Sequence, residues 1–219
     1  MSSLRRHRGS PSRGSPGYAP PVLPQRLSDC LAWYASEEEP ATSPDVCASR
    51  DVFQARLDSA LRELLALGWV DDEAALLIAV LGEIGNNSFD HNLGQWRDVP
   101  GCWFGREPSS DPSLFWVADR GVGLLATLKR ADPALDTPEQ AMDAAFLRVL
   151  SGRAPERRGN GLKFVRSVVN DDDRRALVCQ SEGARTQMGG LVSSLSVVGA
   201  ALASIGAPGV ISVVAWRSE

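Results

Sequence analysis

No charged residue occurs between Met188 and Trp216, and this stretch decides whether the chain folds in water or in a bilayer. It is long enough to span a membrane. Two features argue against that. Gly206-Ala207-Pro208-Gly209 splits it, and Ser193, Ser194, Ser196, Ser204 and Ser212 dilute it. Val, Ile and Leu alternate with small residues on both sides of the break. Two buried strands, or one strand and a short helix, explain this pattern better than a transmembrane helix.

The expectation is therefore a globular domain, and 219 residues suffice for one well-buried core. A net charge of −4 argues against a domain that holds nucleic acid by overall charge. Cys30, Cys47, Cys102 and Cys179 are scattered, with no C-x-x-C pair. Reduced thiols in a cytoplasm fit better than zinc or a disulfide framework. Residues 1–26 carry Arg5, Arg6, His7, Arg8 and Arg13 among Ser, Pro and Gly, and read as a disordered basic tail. They contain no apolar core of a secretory signal. Residues 27–219 read as a single domain.

Within it, residues 27–47 are ambiguous. From Ser49, the residues Phe53, Leu57, Leu61, Leu64 and Leu65 recur at helical spacing, and Gly68 is a natural stop. A second helix starts near Asp71-Asp72 and runs to about His91, with Leu77, Val80, Leu81 and Ile84 as its apolar stripe. Strands are expected at 101–105, 113–119, 176–181 and 209–216. A helix opens with Thr137, Pro138 and Gln140 in a capping-box arrangement, and another runs from Gly161 to about Asn170. Interleaved helices and strands with a strand-rich last third favour an α+β fold. Its expected form is a two-layer sandwich, a mixed sheet covered on one face by helices.

Three patches carry chemistry. Glu83, Asn87 and His91 lie four apart, so a carboxylate, an amide and an imidazole share one edge of the second helix. An amide oxygen is a hard ligand suited to Mg²⁺, and a carboxylate one turn away can take a proton. Asp119-Arg120-Gly121-Val122-Gly123 closes a buried strand with an acid and two glycines. A carboxylate there can accept a hydrogen bond from an exocyclic amine, and glycine allows close backbone approach. Arg157-Arg158-Gly159-Asn160-Gly161-Leu162-Lys163 leads into a helix whose first N–H groups attract phosphate. Singly, each has an ordinary explanation: a polar helix edge, a strand-ending turn, a loop before a helix.

In this order the three patches resemble the N, G1 and G2 boxes of the GHKL ATPases, the superfamily of histidine kinases, gyrase and the anti-sigma serine kinases. The resemblance covers about residues 72–216. It implies a Bergerat-type ATP-binding fold with ATP and Mg²⁺ as cofactors, and an ATP lid at about 124–158. By similarity, Asn87 coordinates Mg²⁺ and Glu83 is the general base. Asp119 reads the adenine amine, while Gly121 and Gly123 leave room for the purine and shape the lid hinge. Gly159, Asn160, Gly161 and Leu162 bring backbone to the phosphates, and His91 lies on the same helix edge. Lys163, Arg157 and Arg158 are additions from charge and position. Neither a G-x-x-x-x-G-K-[ST] loop nor a dinucleotide G-x-G-x-x-G loop is present.

The stand-alone anti-sigma kinases share the Glu-x-x-x-Asn-x-x-x-His pattern and this size. They phosphorylate a serine on a small antagonist protein and often form dimers. The implied function is an ATP-dependent protein serine/threonine kinase acting on a regulatory partner, antagonist or sigma-like. The alternatives are a non-catalytic or slowly hydrolysing ATP switch, and a degenerate fold that binds protein without nucleotide. Two departures stand out. The stretch before residue 72 is long, and residues 183–208 read as an insertion, so sigma-factor binding does not carry over.

Overall fold

The computed structural model describes residues 23–92, 95–147 and 160–218. The basic tail before residue 23 and the C-terminal part of the expected lid lie outside the described residues.

The first helix, α1 (Gln25–Ala35), occupies the stretch that the sequence left ambiguous. A two-residue strand β1 (Val46–Cys47) leads to α2 (Arg50–Ala66), where the Ser49 side chain accepts from the Val52 N–H. Gly68 takes a φ of +87° and ends the run, as only glycine does without strain. Next, α3 (Asp71–His91) opens on Asp71, Asp72 and Glu73, acids that suit the positive end of a helix. Its Leu77, Val80 and Leu81 are fully buried, at roughly 2 kcal/mol each.

The strands β2 (Cys102–Glu107) and β3 (Ser113–Asp119) follow, then the short α4 (Gly123–Leu128), α5 (Pro138–Leu147) and α6 (Gly161–Asn170). Thr137 caps α5 by accepting from the Gln140 N–H, while the Gln140 side chain reaches back to the Asp136 N–H. The chain ends with β4 (Arg175–Ser181), β5 (Ala184–Gly189), a 3-10 turn (Val192–Leu195), α7 (Ser196–Leu202) and β6 (Val210–Trp216).

The sheet order is β1-β2-β3-β6-β4-β5. All neighbours pair antiparallel, so the expected mixed sheet is corrected to an antiparallel one. The reason is where the last strand goes. β3 and β4 run the same way, joined through the helices, but β6 lies between them and opposes both. The α+β class holds.

The helical cover also differs from expectation. On one face α2, α3, α5 and α6 bury Phe104, Phe115, Val117, Leu177 and Val214. On the other, α1, the 3-10 turn and α7 pack on Trp103, Trp116, Val178, Ile211 and Val213. The stretch read as an insertion is therefore structural. Residues 184–189 form the hairpin partner of β4 through a two-residue turn, Glu182-Gly183, with φ of 52° and 86°. Residues 192–202 then cover the second face. Among the described residues no helix is long and apolar enough to cross a membrane.

Candidate functional site

A cavity of about 600 Å³ opens on the face covered by α3 and α6. It is bounded by the last two turns of α3, the end of β3, the α4 region, α5, the start of α6 and the first half of β6. Such a volume suits a nucleotide-sized ligand. Val117, Val210, Leu124 and Leu128 give it apolar walls. Of the residues singled out from sequence, Asn87, His91, Asp119, Gly123, Gly161, Leu162 and Lys163 all line it. Segments far apart in the chain thus meet at one place.

Asp119 is the acid at its closed side, only 3% exposed. β3 delivers it there as its last residue. One carboxylate oxygen accepts from the Ser88 Oγ at 2.9 Å. The other accepts from the Asn92 side-chain amide at 3.1 Å and the Gly121 N–H at 2.9 Å. Burial pushes its pKa above the ordinary carboxylate value, and the donors from Gly121, Ser88, the Val210 N–H and Asn92 pull against that. Among the described residues these donors are all neutral. A carboxylate has about four acceptor positions, so a ligand's donor must share or displace one of these.

Ser88 and Asn92 are parts of the site that the sequence reading missed. Each follows directly after a residue of the helix edge, Asn87 and His91. The same helical spacing that aligns the edge aligns these two, one residue on. Asn92 also explains Gly121, which does not line the cavity. A side chain at Gly121 would run into the Asn92 amide. The room expected there for a ligand is taken by the protein itself.

Gly123 has a φ of +86° and a side chain there would meet Glu182. Glu182 and Ser181 accept from the first N–H groups of the α4 region, Leu125 at 2.9 Å and Leu124 at 3.0 Å. The β4–β5 turn therefore holds the beginning of the expected lid. Nothing in the local sequence signals this contact, because its partners are some 57 residues apart.

At the other side, Glu83 does not line the cavity, but its carboxylate lies against the start of α6. A side chain on Gly161 would collide with the Glu83 Oε2. Glycine there lets the Glu83 carboxylate rest against the start of α6; any larger residue has to push that side chain aside. Asn160 precedes α6 and makes no side-chain capping bond. It is exposed and is not among the cavity residues. Gly159, Arg157 and Arg158 lie outside the described residues. Partial burial lowers the Lys163 pKa. Burial also lowers the pKa of His91; Asp90 opposes this and Arg130 reinforces it.

Arg120, beside Asp119, faces away from the cavity and is fully buried. Its Nε donates to Asp98 at 2.7 Å, and Asp98 also accepts from Nη2. The guanidinium further donates to the backbone carbonyls of Trp33, Tyr34 and Glu38. That arrangement clamps α1 to the end of β3.

Among the described residues no group of three or more His, Cys, Asp or Glu side chains could hold a metal. A cation here would take a protein ligand from Asn87 and the rest from phosphate and water. That donor set fits Mg²⁺, which keeps much of its own hydration. A scan of protein-family models, a search of curated proteins and a search of solved structures each found no match to this chain.

Proposed function

We propose that the cavity binds Mg²⁺-ATP in the manner of the GHKL fold, and that the protein transfers the γ-phosphoryl group to a serine or threonine of a regulatory partner. The observation that carries this reading is convergence. Asn87, Asp119 and Gly161, from three separate sequence patches, line one cavity of nucleotide size, and Glu83 abuts its rim.

In this reading Asp119 accepts from the adenine amine between the walls made by Val117 and Val210. The uncapped start of α6, with Gly161, Leu162 and Lys163, faces the phosphates. Asn87 holds the magnesium ion, whose role is to neutralise phosphate charge. The acceptor hydroxyl attacks the γ-phosphorus, the bond to the ADP oxygen breaks, and Glu83 receives the hydroxyl proton. Positioning supplies most of the rate. The clip between Glu182 and α4 favours a second reading, in which nucleotide alters the lid and gates a partner without phosphoryl transfer.

Calorimetric titration of ATP into the full chain, with and without Mg²⁺, tests the pocket. Asp119→Asn is expected to lose ATP affinity, and Asn87→Ala to lose the Mg²⁺ dependence. No ATP binding by the wild-type protein refutes the reading. Glu83→Gln is expected to bind ATP normally but to turn over about 10²–10⁴-fold more slowly. Wild-type turnover in that variant removes Glu83 from the chemistry.

A further inference from the structure

The cavity is electrically lopsided. Its one acid among the described residues is Asp119, whereas its other ionisable lining residues are His91, Arg130 and Lys163. Arg130 belongs to none of the three sequence patches. It stands two residues after α4, in the turn where the Ala131 and Asp132 N–H groups bond the Leu128 carbonyl.

Its neighbours show why it matters. Lys129, the adjacent cation, pairs with Asp136 at 3.2 Å and does not line the cavity. Arg97 and Arg120 are both paired with Asp98. Arg130 lines the cavity, and its described partner is the neutral side-chain oxygen of Gln95. Among the described residues no carboxylate pairs with it. Its charge acts on His91, which lines the same cavity. Its position is fixed at both ends of α4. Glu182 and Ser181 hold the start, and the turn after Leu128 holds the end.

We infer that Arg130 is a specificity-determining residue that grips the phosphate chain of the ligand, exchanging its bond to Gln95 for phosphate oxygens. A guanidinium matches phosphate oxygens two at a time, and its unneutralised charge at the mouth favours polyanions over an uncharged nucleoside. This inference rests on the ATP reading. It adds that discrimination between nucleotide and nucleoside lies in the first part of the lid, opposite α6.

The test is titration of adenosine, ADP and ATP into the full chain, its Arg130→Gln variant and its Arg130→Lys variant. Arg130→Gln is expected to weaken ATP and ADP about tenfold to hundredfold and leave adenosine within about twofold. Arg130→Lys is expected to restore part of the loss, and the salt dependence of ATP binding to become shallower in Arg130→Gln. Equal loss for adenosine and ATP, or no loss for either, overturns the inference while the ATP pocket stands. Wild-type protein that binds neither adenosine nor ATP overturns the pocket reading and this inference with it.

Discussion

Asp119 and Arg120 are consecutive, both charged and both buried, and the end of β3 turns them to opposite faces of the sheet. Arg120 is neutralised: Asp98 takes two of its donors and backbone carbonyls take others. Asp98 in turn is held below the usual carboxylate pKa, chiefly by the hydrogen bonds from Arg120. Asp119 faces only neutral donors, and burial raises its pKa. A buried ion with all its partners is scaffold. One held by neutral dipoles, at the wall of an open cavity, carries a charge that no cation there has taken up. The two faces follow the same division. The second is filled by α1 and α7, while the first leaves the cavity between α3 and α6.

The sharpest break of this comparison is Arg120→Ala. It leaves the partly buried Asp98 with only the longer ion pair to Arg97 among the described residues and removes the clamp on α1. A loss of about 3–5 kcal/mol in urea unfolding is expected. Arg120→Met is expected to cost less, because an apolar side chain of similar length fills the space. A loss below about 1 kcal/mol for the alanine variant makes the clamp incidental.

Asp119→Asn probes the other member of the pair. An affinity loss of about 1.5–3 kcal/mol for ATP is expected, with no loss of stability at neutral pH. The sign follows from the pKa. A carboxyl whose folded pKa is raised loses protons less readily when folded. Stability therefore declines as pH rises from the unfolded value through the raised one. Removing the ionisable group relieves that penalty. The stability of Asp119→Asn relative to wild type should accordingly grow as pH rises through that window, then level off. ATP affinity of the wild type should fall as the pH drops through the raised pKa. Titrations at several pH values, alongside urea melts, check both. Asp172, held near a pKa of about 2 by hydrogen bonds from Arg174, behaves oppositely and loses its contribution only in stronger acid.

Helices α2, α3, α5 and α6 and the site's edge were legible in the sequence because their signals are local. Leu77, Val80, Leu81 and Ile84 repeat every turn, and Asp71 and Gly161 mark helix starts that the structure reproduces. What was not legible depends on partners remote in sequence. β5 reads Ala-Arg-Thr-Gln-Met-Gly, a polar edge strand with one fully covered position, so its pattern carries little apolar signal. The insertion of β6 between β3 and β4 makes the sheet antiparallel, and no residue of β6 announces its neighbours. Arg120 carried no assigned role in the sequence because Asp98 and the α1 carbonyls come from elsewhere in the chain. Asn87 and Asp119 were visible as chemistry. Their supports Ser88 and Asn92 were visible only as helix neighbours.

Glu182 offers the smallest and most selective test of the same division. It sits at φ 52° in the hairpin turn, a backbone region unfavourable for a side chain, yet its carboxylate accepts from the Leu125 N–H at 2.9 Å. Glu182→Ala removes that cap and keeps the strain, and a stability loss of about 0.5–1 kcal/mol is expected. Glu182→Gly removes the cap and also relieves the turn, so its loss should be smaller. If the clip positions the beginning of the lid, both variants should weaken ATP by the same factor despite their different stabilities. Unequal ATP affinities that track stability instead would reduce Glu182 to a turn residue. The start of the lid would then be held by Ser181, and the cavity's order by the α3–β3 contacts around Asp119.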